Sequence, residues 1–159
     1  MPLWDLNCDL GEGEPPARTL ALLRLVRSAS AACGGHAGDA ATMERVARQA
    51  LRLGVQLGAH PGWPDRAGRG RTDANPTAGE LVTLLLQQVA ALDTVVRGLG
   101  GALHHVKLHG ALYHATDRDP ALAAAYLGAV RRWWPRLIVI ARAGGATALE
   151  TLLTLPEVT

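Results

Sequence analysis

The sequence predicts a parallel α/β fold of the (β/α) barrel type, incomplete at five strand–helix units, and three observations carry that prediction. First, four short apolar runs each lead into a polar, glycine-flanked cluster: Leu6–Gly13, Ala32–Asp39, Leu57–Gly62 and Val106–Ala111. Such a run reads as a buried parallel strand that opens into a loop, and ligands gather at that end of parallel sheets. Second, strand and helix signals alternate along the chain with no long linker, which implies parallel strands joined by right-handed crossovers. Third, the chemically capable residues fall on four successive strand ends. An open doubly wound sheet has one switch-point crevice and does not bring four successive ends together, whereas a barrel does. A closed barrel takes about eight units and some 250 residues, so 159 residues fall short of closure. The whole chain, 1–159, reads as one domain.

The elements follow in order. Trp4 to Cys8 is the first expected strand, and Thr19 to Arg27 a helix whose apolar face is Leu20, Leu23, Leu25 and Val26. Ala29 to Cys33 is a strand of small residues. Asp39 is placed to cap a helix running to Leu53, and Gly54 to end it. Val55 to Ala59 is the third strand. Residues 61–76, rich in Pro and Gly, form the longest irregular segment, and a loop of that length in a compact domain usually has a function. Thr77-Ala78-Gly79-Glu80 is a capping box that opens a long helix to Arg97. His105 to Leu108 is the fourth strand. Asp119-Pro120 supplies an N-cap and a first-turn proline for a helix reaching Trp134, which Pro135 stops. Leu137 to Ala141 is the fifth strand, and Gly144-Gly145 leads into a last helix ending near Leu155.

Composition narrows the function. Hydrophobic residues make up 48% of the chain and the net charge is +2, so neither a disordered chain nor a nucleic-acid partner is expected. No apolar run approaching the roughly 20 residues of a membrane span is read from the sequence. The N-terminus has neither the basic start nor the apolar stretch of a signal peptide. Two cysteines, both beside glycine-rich strand ends, do not make a disulfide framework, and a reduced cytoplasmic compartment is expected. There is no phosphate-binding loop, no dinucleotide fingerprint, no H-E-x-x-H, no paired C-x-x-C and no nucleophile elbow.

Lys107 is the single lysine among sixteen basic residues. A compact, titratable ammonium at a buried strand end is not interchangeable with a guanidinium, which points to chemistry there. His109 is two residues on and shares its side of the strand. Asp9 and Glu12 put two carboxylates at one strand mouth, a pattern suited to general-base work or cation binding. Glycines on both sides of His36 leave few side chains to hold its ring, unlike a core histidine. His60 precedes Pro61, which holds its backbone extended. The candidate catalytic residues are therefore Asp9, His36, His60, Lys107 and His109. The candidate substrate-binding residues are Asn7, Glu12, Asp39 and Arg71. Asp39 has a second reading as a plain helix cap, and Arg66, Arg69 and Arg71 are either solvated loop charges or an anion clamp. His104, His105 and His114 are weaker candidates. His36, His60, His109 and Asp9 have the composition of a divalent metal site, although their spacing matches no dedicated motif.

Asp5–Gly13, Ser28–Asp39, Gly58–Asp65 and His105–Tyr113, taken in order and at their spacing, resemble the LamB/YcsF family up to about residue 145. That family supplies the A subunit of bacterial 5-oxoprolinase. The resemblance implies a barrel of the glycoside hydrolase/deacetylase type. It also implies opening of the 5-oxoproline lactam to L-glutamate, with ATP as co-substrate and subunits B and C as partners. Gly35, Leu108 and Arg69 stand where the family usually has Phe, Pro and Phe. Family members run to the length of a full barrel, so the chain is expected to match the N-terminal portion of a longer one. An uncovered sheet edge then favours a homo-oligomer. Two other functions fit the residues: a metal-dependent deacetylase or amidohydrolase, and a non-catalytic subunit that binds partners.

Overall fold

A computed structural model describes residues 5–153. Five strands, β1 (Asn7–Leu10), β2 (Ser28–Ala32), β3 (Gln56–His60), β4 (His105–Lys107) and β5 (Ile138–Ile140), form one sheet in the order β1-β2-β3-β4-β5. Every pairing is parallel. Sequential order with right-handed crossovers carries every connection to the same side of the sheet, which is the winding of a barrel rather than of an open doubly wound sheet. The connecting helices are α1 (Pro16–Leu23), α2 (Ala40–Leu53), α3 (Ala78–Gly98), α4 (Gly110–Arg118), α5 (Pro120–Trp133) and α6 (Ala146–Leu153).

Alternation along the strands separates two faces. Leu10, Ala29, Ala31, Leu57, Ala59, Val106 and Leu108 point outward into one buried core, where they meet Val46, Leu81, Leu85, Val89 and Leu92 from the helices. Asn7, Ser28, Ser30, Gly58 and His105 face the concave side, joined there by a polar network. Asn7 Nδ2 donates to Ser28 Oγ at 2.8 Å, Ser30 Oγ donates to Asn7 Oδ1 at 3.1 Å, and His105 Nε2 lies 3.1 Å from Ser30 Oγ.

The capping signals act as the sequence implies. Asp39 accepts from the Thr42 amide, Gly54 ends α2 at φ +69°, both halves of the Thr77/Glu80 capping box form, and Asp119 caps α5. Boundaries differ elsewhere. Strand β1 starts at Asn7 and runs on to Leu10, because Asp9 and Leu10 pair with Ser30 and Ala31; Trp4 lies outside the described residues. Helix α1 begins at Pro16 and stops at Leu23. A proline preset for the first turn starts it early, and the chain must straighten to enter β2 at Ser28, leaving Leu25 72% exposed. Helix α4 is absent from the sequence reading; His109 lends it no side-chain cap, and its buried residues are only Leu112, Ala115 and Thr116. The expected end of the last helix near Leu155 lies outside the described residues. Helix α3 also corrects the reading that no apolar run is long enough to span a membrane: its 21 residues are long and apolar enough by composition. Its apolar stripe from Leu81 to Val96 packs into the core instead.

His105 ties the concave face to pH. Burial, and then His104, push its pKa down from 6.5 to about 4. The unfolded chain therefore takes up this proton first as pH falls. Stability is expected to drop by about 3 kcal/mol as pH goes from 6.5 to 4, with the loss complete below the folded value. Urea midpoints measured from pH 7 to pH 4 check this: His105→Asn flattens the pH slope, and equal slopes in the two proteins contradict it.

Candidate active site

The strand ends place six of the nine predicted site residues in one cluster: Asp9, Glu12, His36, His60, Lys107 and His109. Asp9 ends the inward row of β1. Lys107 Nζ donates to both Asp9 oxygens, at 2.7 and 3.0 Å, and His60 Nε2 lies 3.3 Å from Asp9 Oδ2. Burial works against the Asp9 carboxylate, but His60 and Lys107 outweigh it and hold its pKa well below the usual carboxylate range.

Glu12 sits in the turn after β1, between Gly11 at φ +79° and Gly13 at φ +102°. Glu14 shapes that turn by accepting from the Gly11 and Glu12 amides at 2.7 and 2.9 Å and from Thr19 Oγ1 at 2.9 Å. One Glu12 oxygen, Oε1, faces three rings: His36 Nε2 at 3.2 Å, His109 Nδ1 at 3.2 Å and His60 Nε2 at 3.5 Å. The His109 and His36 rings beside it hold Glu12 ionised against its partial burial.

The three rings are between 1 and 4% exposed at their side chains, whereas Asp9 and Glu12 are 33 and 27% exposed. The carboxylates thus form the floor that solvent reaches, over buried imidazoles. Backbone carbonyls orient two of the rings. His60 Nδ1 lies 2.7 Å from the Lys107 carbonyl, and His109 Nε2 lies 2.9 Å from the Arg69 carbonyl. A carbonyl accepts only, so each of those nitrogens carries a proton and donates. His60 Nε2 and His109 Nδ1 then face each other at 3.0 Å. His36 stacks on His109 with centroids 3.7 Å apart and planes 5° from parallel, and its Nδ1 is buried without a partner. Burial lowers the His36 pKa, and Glu12 partly restores it.

The long loop serves this cluster. Arg69 adopts φ +52° and presents its carbonyl to His109. Arg66 reaches the Gly34 and Gly38 carbonyls and ties the loop to the segment that carries His36. Two clefts open beside Glu12. One, of about 200 Å³, is rimmed by His36, Arg66 and Arg69; the other, of about 370 Å³, by Asp9, Glu14, Arg18 and Arg69. A carboxylate floor under arginine rims suits an anionic ligand whose reacting atom reaches the acids.

Three predicted residues lie apart from the cluster. Asn7 is one layer down the concave face, bonded to Ser28, Ser30 and His105. Asp39 is an exposed cap of α2. Arg71 is exposed on the long loop. Within the possible metal group the acid is Glu12 rather than Asp9.

Sequence reasoning missed several supports. Glu14 is the acid that builds the turn. Gln88 on α3 clamps Gly62, accepting from its amide at 3.0 Å and donating to its carbonyl at 2.8 Å, and so fixes the strand exit behind His36. Its signal was present: Gln88 is the polar member of an otherwise apolar stripe at helical spacing. Cys33 Sγ accepts from the His60 amide at 3.3 Å, and burial pushes this thiol up to about 12. His105, ranked as a weak candidate, is fully buried on the concave face.

Residues 4–152 match the LamB/YcsF family model. The chain is 51% identical over 136 residues to the A subunit of 5-oxoprolinase from Erwinia tasmaniensis, a match covering 86% of this chain and 55% of that protein. Its structure is similar to the crystal structure of the lactam utilization protein from Thermus thermophilus, with TM-score 0.87, 36% identity and coverage of 94% of this chain and 62% of that one. The chain thus spans little more than half the length of the curated relative it matches.

Proposed function

The chain belongs to the LamB/YcsF family, and from that premise we propose that it is the A subunit of an ATP-dependent 5-oxoprolinase, opening the 5-oxoproline lactam to L-glutamate together with subunits B and C in the cytoplasm. The observation that carries this reading is its 51% identity, over most of its length, to a protein bearing that subunit's name. The site supports it chemically. A five-membered lactam is an unreactive amide, so its opening needs an oriented water, a stabilised oxyanion and a proton for the departing nitrogen. ATP supplies the activation of the carbonyl oxygen, and with no phosphate-binding loop in this sequence its handling is assigned to the assembled subunits.

The chain's own residues take the remaining roles. Asp9 stays ionised beside Lys107 and His60 and accepts a hydrogen bond from the attacking water. Lys107 keeps a third N–H beyond the two that Asp9 uses, free to meet the developing oxyanion or the substrate carboxylate. Asp9 passes the water proton toward the ring nitrogen as the C–N bond breaks. Arg66 and Arg69, at the rim, attract anionic groups.

The Glu12 and histidine group also supports a second reading, a metal-dependent amidohydrolase or deacetylase. Omitting ATP from the assembled enzyme separates the two. The proposed function requires glutamate and ADP to appear together and neither to form without ATP. Glutamate released at the full rate without ATP selects the amidohydrolase.

A further inference from the structure

We propose that Glu12, His60 and His109, with His36 beside them, bind one divalent transition-metal ion, Zn²⁺ in the first instance. The inference concerns the cation alone and stands whether or not the substrate is a lactam. Its first support is distance. Bonds of about 2.0–2.1 Å in a tetrahedral site set neighbouring donor atoms about 3.3 Å apart. The three donors here form a triangle with edges of 3.0, 3.2 and 3.5 Å, the size of one face of that tetrahedron. His36 Nε2, 3.2 Å from the shared Glu12 oxygen, lies within 4.8 Å of the other donors and stands next to the remaining position.

The second support is proton bookkeeping on the rings. His60 and His109 each spend a nitrogen donating to a backbone carbonyl. Their other nitrogens, 3.0 Å apart, bear lone pairs when the rings are neutral. Two lone pairs at that distance repel unless a cation lies between them. A carbonyl fixing the far nitrogen so that the near one offers its lone pair is the usual arrangement around ligating histidines. The third support is the donor chemistry. Two imidazoles and one carboxylate suit zinc with a position left open, whereas Mg²⁺ and Ca²⁺ prefer oxygen donors. The Asp9 carboxylate, paired with Lys107, lies 3.3 Å from His60 Nε2.

A single proton shared between the two rings would relieve the same repulsion, and metal analysis separates the two. The whole chain is stripped with chelator, titrated with ZnCl₂ alone and then with CoCl₂ alone, and read by elemental analysis, calorimetry and visible absorption. One equivalent of zinc and a cobalt d–d band are expected. His60→Ala and His109→Ala should each weaken zinc at least about 100-fold. Glu12→Gln, a near-isosteric change at a partly exposed side chain, gives a third variant should either histidine variant fail to fold. His114→Ala, outside the cluster, should leave the titration unchanged. Zinc bound at well under one equivalent by the folded wild-type chain, or bound equally by wild type and every folded cluster variant, overturns the proposal.

Discussion

Lys107→Ala is expected to lower kcat/KM for ATP-dependent glutamate release by about 10³-fold in the assembled enzyme, the range seen when a positioned charge or oxyanion donor is removed. The loss follows from geometry. Lys107 is the only ammonium at the strand ends, and it both pairs with Asp9 and keeps one donor free. The fold should survive. Lys107 is one-quarter exposed at its side chain, its ion pair lies at a solvent-facing floor, and such pairs contribute about 1 kcal/mol or less. The hydrogen bond that orients His60 uses the Lys107 carbonyl, which the substitution leaves in place. Lys107→Arg should not restore activity, because a planar guanidinium does not reproduce a compact ammonium between Asp9 and the cleft. Wild-type turnover by a folded Lys107→Ala protein would reduce the lysine to a structural role.

The largest effect on stability is expected at Gly58. A Cβ there would lie 2.2 Å from two atoms of the His105 ring. That ring has no room to retreat, since Ser30, Asn7 and His104 all contact its nitrogens. Gly58→Ala should therefore cost about 3 kcal/mol through overpacking and a broken buried network. In a chain of this size that corresponds to a fall of roughly 10 °C in Tm. Removing the ring should relieve the clash, so Gly58→Ala with His105→Ala should be less destabilised than the two single changes added together, by at least about 1 kcal/mol. Strict additivity in thermal or urea unfolding would show that the ring and the glycine are not coupled.

Local chemistry made much of this legible in the sequence. Asp39, Gly54, the Thr77/Glu80 box and Asp119-Pro120 act within one turn of their own positions, so their signals need no tertiary context. The cluster was legible because each of its strand-end members follows an apolar run, and the parity of Lys107 and His109 put both on the concave face. What escaped depends on partners distant in the chain. Strand β1 takes its length from pairing with β2, so its far end could not be read from residues 4–8 alone. His105 looks like any strand histidine until Gly58 and Ser30 are known to lie opposite it. Glu12, rather than Asp9, faces the three rings because the Glu14 turn swings it there, a matter of backbone direction rather than residue type. Asp39 reads more often as a cap than as a ligand, and at the N-terminus of α2 it accepts from the Thr42 amide.

The proposed function has the strand-end site complete its chemistry only in company with other subunits. The most direct measurement is ATP-dependent glutamate release from 5-oxoproline by the purified chain, with and without subunits B and C. On the proposed function, turnover is expected with all three together and none with the chain alone, because the site gathers carboxylate, imidazole and ammonium groups while the sequence has no phosphate-binding loop. Robust turnover by the chain alone would contradict the partner requirement, and no glutamate from the full set would contradict the function itself.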